Sequence, residues 1–430
     1  MLTRKGMLIF ALVCLLALTG GGLAQAGDPK PAPRVAGRDV SDSGGPLNTS
    51  GFPISLVSNA SGHNHETHPS VAYNSGFMKT YLVVWEQPDA GSNPIVYGRF
   101  VGRDGALNGI RYPISQNPGP ATNADVAYNP DLDQYLVVYE IGGFFIFGQI
   151  IGNTGAPVGS EFEIVAGFVP TDTYYSPAVA YSPTSSKYLV TWRHNNGAFQ
   201  GIEARTVSGD GSTLSMVWEL TGMIASDPEL PDVAYTSVLD EFLVVWQKTA
   251  TPYTDHDIYG RRIQMGTSPG PVGSVLSIHY TSHDETAPAV AAIAKLTGIG
   301  QYLVACQSDY GGTILIDGQF VTDGGALDGS PLYVSDTSGT TPSVAGNQLT
   351  QEYLVAWIHN PEIHARTIST AGIGGQITPL SGNFPGNPAV ANGPDGDFLI
   401  AAEDYLTGYP FDIFGYLWGT RLFMPAIMKN

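Results

Sequence analysis

Pro69-Ser70-Val71-Ala72-Tyr73, Tyr81-Leu82-Val83-Val84-Trp85 and Ile95-Val96-Tyr97-Gly98-Arg99-Phe100 are three short phrases, and the chain says them again and again. Val-Ala-Tyr returns at 126–128, 179–181 and 233–235, and as Val-Ala at 290, 344 and 390. Runs matching the second phrase begin at Tyr135, Tyr188, Phe242, Tyr302, Tyr353 and Phe398. The third returns at 145–150, 201–206, 257–262, 315–320, 362–367 and 412–417. Successive valines of the first phrase stand 55, 53, 54, 57, 54 and 46 residues apart. Three phrases in one order, seven times over, define a repeat architecture.

Each phrase is β-branched or aromatic and is bounded by Gly, Asn, Asp or Pro, the signature of strands joined by hairpins. A fourth strand follows at 112–115, 162–165, 276–279 and 332–335. Four antiparallel strands make a small sheet that cannot bury both faces alone. Seven of them stacked around an axis can, so the fold expected is all-β: a seven-bladed β-propeller spanning 51–420. The seventh repeat supplies three strands and breaks off, while Phe52-Pro53-Ile54-Ser55-Leu56 precedes the first as an orphan. Placed on the outside of the last blade, that N-terminal strand closes the ring.

The phrases resemble those of secreted bacterial β-propeller repeat proteins, a loosely defined and mostly uncharacterised group. They lack the Gly-His and Trp-Asp marks of WD repeats and the Asp box of sialidases, so neither function carries over. A propeller hosts binding and catalysis alike.

Composition narrows the partners. Met1–Ala26 has a basic start (Arg4, Lys5), an apolar run and an Ala24-Gln25-Ala26 ending, which reads as a secretory signal peptide. Residues 27–50 read as a flexible leader, and 421–430 as a C-terminal tail. A secreted, extracellular or cell-surface chain is expected, with no transmembrane segment. With 19 Lys+Arg against 38 Asp+Glu, the formal charge is −19. That argues against nucleic acid and anionic lipid as partners, since both need a basic footprint. Cys14 leaves with the signal peptide, so Cys306 has no disulfide partner and a large core must supply the stability.

In a four-stranded meander, the 1-to-2 and 3-to-4 turns lie on one side of the disc. The 2-to-3 loops and blade-to-blade links lie on the other. The second side has loops of uneven length and gathers nineteen acids beside only Arg193 and Lys248, with seven of the nine histidines. Variable loops on a rigid scaffold are where binding residues collect.

Two constellations there suit a metal. His63-Asn64-His65-Glu66-Thr67-His68 sets His63 and His65 on one side of an extended chain, with Glu66 or His68 to complete a Zn²⁺ set. His283-Asp284-Glu285 is its counterpart before the fifth repeat, and acidic loops of this kind also suit Ca²⁺. Arg193, His194, Asp255, His256, Asp257, Tyr310, Glu403 and Asp404 are the candidate ligand-binding residues. Cys306 sits where other repeats have Trp85, Trp192, Trp246 and Trp357, and reads as a small core residue. Tyr73, Tyr128, Tyr181 and Tyr235 recur with the repeat and read as packing. No catalytic set stands out. The function expected is a monomeric binding module for an extracellular glycan, a protein or a metal. The second reading is a polysaccharide-active enzyme, a glycoside hydrolase sooner than a lyase, using carboxylates of the same side.

Overall fold

The computed structural model describes residues 45–46, 51–55, 65–88, 93–167, 171–198, 200–222, 227–249, 255–380, 386–405 and 411–419. The signal peptide, nearly all of the leader, the tail and His63 lie outside them. Seven antiparallel sheets follow one another as meanders. Blade 1 runs Thr67–Tyr73, Thr80–Pro88, Pro94–Gly102, Leu107–Pro113 from the axis outward. Blades 2 to 6 follow over 121–166, 173–219, 229–279, 284–333 and 340–380. Blade 7 is Gly386–Asn392, Phe398–Tyr405 and Phe411–Gly419. Each innermost strand packs against that of the next blade, and the seventh against the first.

Closure comes from the N-terminal segment. Phe52 pairs with Gly415 and Pro53 with Phe414, while Gly45 and Pro46 pair with Gly419 and Trp418. The Ile54 N–H then donates to Ile413 O (2.7 Å), and the Ile413 N–H to the Ser55 hydroxyl (2.8 Å). Two parts of the chain far apart in sequence thus make one sheet, and the orphan strand finds the place its pattern predicts.

The second strand of each blade carries a five-residue run that is apolar except at Thr191, because it is buried on both sides. Its alternation divides the work. Leu82 and Val84 pack toward blade 2, whereas Tyr81, Val83 and Trp85 pack toward blade 7. The same parity holds around the ring, so the interior is seven hydrophobic clusters, one per seam, instead of one central core. Ile54 is fully buried in the cluster that joins blade 7 to blade 1. Ile54→Ala is expected to cost about 2–5 kcal/mol, the range for deleting a packed aliphatic side chain, and to lower the midpoint of denaturant unfolding. An unchanged midpoint would show that this strand does not hold the ring.

Candidate functional site

Every inner strand carries the same irregularity three residues before its valine. His68, Asn123, Ser176, Leu230, Ala287, Thr341 and Asn387 all have positive φ, between 37° and 51°. Each sits within a break in register against the second strand. Such a bulge leaves a backbone N–H without a ladder partner. The preceding blade supplies one. Glu403 Oε1 accepts from the His68 N–H (2.8 Å), Glu86 Oε1 from Asn123 (2.6 Å) and Glu140 Oε2 from Ser176 (3.2 Å). Gln247 and Gln307 do the same for Ala287 (2.8 Å) and Thr341 (2.7 Å). These acceptors are one repeat position, the residue after the tryptophan slot. They ring the axis on the loop side. Arg193 and Ile358 hold that position in the other two blades.

Deeper in the axial channel, Asp125 accepts from the Ser70 hydroxyl (2.7 Å) and the Val179 N–H (2.8 Å). Asp232 accepts from the N–H groups of Val233 and Val290, both at 2.7 Å. Burial raises both carboxyls. Asp232, also repelled by Asp125, is pushed up to about 7. Glu86, Glu140, Glu403, Asp125 and Asp232, all among the nineteen loop-side acids, are therefore fastenings that point into the wheel.

The predicted site residues separate accordingly. His65 is exposed beside the Phe411 ring (5.7 Å). Glu66 turns inward to Arg111 (2.9 Å), and burial pushes it up to about 7. His68 turns to the axis, where its hydrogen bond to Glu86 raises its pKa. The three do not converge. Glu403 is a fastening, and Asp404 is buried, accepting from the Tyr416 hydroxyl (3.3 Å). Arg193 is engaged by Asp227 (2.6 Å) and Glu229 (2.9 Å). His194 lies against Tyr174 (4.6 Å), between Glu203 (3.0 Å) and Asp172 (3.6 Å). Burial opposes its imidazolium, but those two carboxylates outweigh it and raise the pKa.

One seam does collect predicted residues, that between blades 4 and 5. Asp284 Oδ1 accepts from the His256 N–H (2.7 Å) and lies 2.8 Å from His256 Nδ1, with Asp255 half-buried beside them. His283 packs on Tyr310 (4.2 Å), and Tyr310 on Tyr333 (6.4 Å). The Tyr310 hydroxyl donates to Asp317 Oδ2 (2.6 Å). Tyr333 and Tyr280 are 62% and 56% exposed, so this aromatic run faces solvent. Glu285 and Asp257 lie beneath it, fully buried. His279, Asp317, Tyr280 and Tyr333 were missed in the sequence. The available signal was departure from the repeat: Ser115, Thr221, Ser335 and Ser55 occupy the place of His279 in four other blades.

On the turn side, a cavity of about 380 Å³ opens on the axis. Tyr73, Tyr128 and Tyr181 line one half, and Ala292, Gly346 and Asn392 the other. The tyrosines are thus packing residues that also wall a funnel. Cys306 is buried, and burial pushes its thiol well up. Among the described residues, no three His, Cys, Asp or Glu side chains already surround a point a metal could take, and no helix is long and apolar enough to cross a membrane.

No family model matches the chain, and no curated protein does. Solved structures match in shape. A protein of unknown function from Dyadobacter fermentans is 10% identical, with a TM-score of 0.54 over 88% of this chain and all of its own. The polysaccharide lyase Uly1 is 7% identical, with a TM-score of 0.53 over 87% of this chain and 98% of its own. The NanB sialidase of Streptococcus pneumoniae (a K499G mutant) is 10% identical, with a TM-score of 0.45 over 86% and 70%. At these identities the likeness is one of fold.

Asp232 gives a pH prediction. Its folded-state pKa, about 7, lies above the ordinary carboxylate value of about 3.9. The folded chain therefore holds this proton more tightly than the unfolded one. The resulting stability is fully present below about pH 4 and is lost as pH rises through 7. Glu66 and Glu241, both pushed up to about 7 by burial, add in the same direction. Melting temperature is expected to fall between pH 5 and pH 8, with Asp232→Asn flattening the decline. A melting temperature that rises over that interval would contradict this.

Proposed function

We propose that the chain is a binding module for an extracellular glycan, neutral or amino-bearing, engaged at the loop-side edge of the seam between blades 4 and 5. The observation that supports it is the solvent-facing run His283–Tyr310–Tyr333 with Tyr280, beside the exposed carboxylate of Asp284. Flat amphipathic rings take sugar faces, and carboxylates beside them take the hydroxyls. The bond from Tyr310 to Asp317 holds the central ring in place without ligand, which lowers the ordering cost of binding.

Charge selects the class. Uronates carry carboxylates and need cations. Arg193 is already held by two acids, and Lys248 lies over the Tyr259 ring (5.1 Å). An acid-rich side with its cations engaged repels polyanions. That argues against a uronate lyase, although a lyase is among the proteins of similar shape.

Titration with neutral, amino and uronate oligosaccharides tests the reading. Binding is expected for the first two classes, and Tyr333→Ala or His283→Ala should weaken it by about 2- to 10-fold each, the worth of one aromatic contact. Reducing-end release would move the assignment to hydrolysis, and silence toward all three classes would remove it.

A further inference from the structure

Blades 7 and 1, and blades 4 and 5, meet through the same repeat positions, yet the two seams balance charge differently. In both, a glutamate just ahead of or at the start of an inner strand (Glu66, Glu285) lies near an acid at the second residue of the preceding blade's third strand (Asp412, Asp257). At the first seam a guanidinium answers them: Arg111 Nη1 is 2.9 Å from Glu66 Oε1 and 2.5 Å from Gln87 Oε1. The place of Arg111 is taken by Pro331 in blade 5, so the second seam has no such cation.

Three more positions change there. The cross-strand pair Trp85–Tyr97 becomes Cys306–Asp317, and Ser55 becomes His279. A bulky aromatic pair gives way to a thiol and a third carboxylate, and a hydroxyl to an imidazole. Asp257 and Glu285 are 0% exposed, Asp317 1% and His279 4%. No lysine or arginine makes an ion pair with any of them among the described residues. The nearest lysine by register, Lys248, sends its ammonium over Tyr259 instead. Three buried acids beside one imidazole are short of positive charge, which is costly away from water.

Both ring nitrogens of His279, Asp257 Oδ1 and Asp317 Oδ1 are buried without a hydrogen-bond partner. His279 Nδ1 stands 3.6 Å from Glu285 Oε1, and Nε2 stands 3.8 Å from Asp317 Oδ2. Those separations are too long for hydrogen bonds. Two donors each about 2.0–2.2 Å from one tetrahedral ion are roughly 3.4 Å apart.

We propose that this seam takes a divalent transition-metal ion of the zinc class, held by His279 Nδ1, Glu285 and Asp257. Asp317, anchored by Tyr310, then faces the other ring nitrogen and orients the imidazole, the usual support for a metal-binding histidine. Thr281, whose hydroxyl donates to Glu285, steadies the second ligand. Nitrogen with carboxylate oxygen suits zinc better than calcium, which prefers oxygen alone. Loading draws Asp257, which already lies within hydrogen-bond reach of Glu285, toward His279, since the three donors do not yet surround one point. Cys306 is smaller than the tryptophan that holds this position in four other blades.

This proposal does not rest on the glycan reading, because its test uses no sugar. The chain is purified without a metal-affinity step and its metal content is measured. About one zinc-class ion per chain is expected, with a chelator lowering the melting temperature and added Zn²⁺ restoring it. His279→Ala and Glu285→Gln should each weaken metal binding by at least about tenfold, while Glu66→Gln, at the matching seam, retains it. Because losing a buried side chain also threatens folding, the unaltered chain is titrated with Co²⁺, whose visible absorption reports a nitrogen- and oxygen-ligated site. An unaltered chain that purifies without metal, shows no Co²⁺ absorption and does not shift its melting temperature with Zn²⁺ overturns the proposal, and protons alone then balance the seam.

Discussion

A backbone N–H that the bulged inner strand cannot pair within its own sheet has to find an acceptor in the next one. The wheel depends on that transaction. A buried amide left unpaired costs about 1–3 kcal/mol, and a hydrogen bond to a charged acceptor contributes about 1.5–3 kcal/mol. Each bulge also holds a non-glycine residue at positive φ, a conformation that persists only where its surroundings enforce it. At five seams a Glu or Gln of the preceding blade provides the enforcement. The fastening therefore runs from blade to blade, and its direction around the ring is the direction of the chain.

Hydrophobic burial follows the same partition. Since each second strand is covered on both sides, its odd and even residues belong to different seams, and no blade has a core of its own. Losing one blade would expose two clusters at once. The N-terminal strand completes the last cluster as it completes blade 7, adding Ile54 and Phe52 to the side chains that blades 7 and 1 bury together.

Regularity of this kind makes exceptions informative. Arg193 breaks the ring of acceptors and is met by Asp227 and Glu229. His279, Asp317 and Cys306 break three positions at a single seam, and they are joined there by Glu285 and Asp257. Functional groups are expected where a sequence departs from the rule that the rest of the fold obeys. The opposite side of the disc has its own stitching. The Asn74 amide donates to Asp133 (2.8 Å) and the Tyr181 hydroxyl to Asp131 (2.6 Å), so aspartates placed in those turns for backbone reasons also join neighbouring blades.

Blade number, strand order and ring closure were all legible in the sequence, because each rests on a local pattern: alternation, turn residues and a period near 54. The side of the disc on which Glu86, Glu140 and Glu403 lie was legible too, since a meander fixes which loops share an end. Where those carboxylates point was not. A strand break three residues before Val71 or Val126 turns the following backbone, and no pattern of residue types announces a positive φ at His68 or Asn123. His63, His65, Glu66 and His68 look like a cluster when written in a line, yet pleat and bulge send Glu66 to Arg111 and His68 to the axis. Conversely, His279, Asp257, Glu285 and Asp317 are spread over sixty-one residues and two repeats. Only the packing of one blade on the next, a contact between chain segments that no local pattern encodes, brings them into a single buried group.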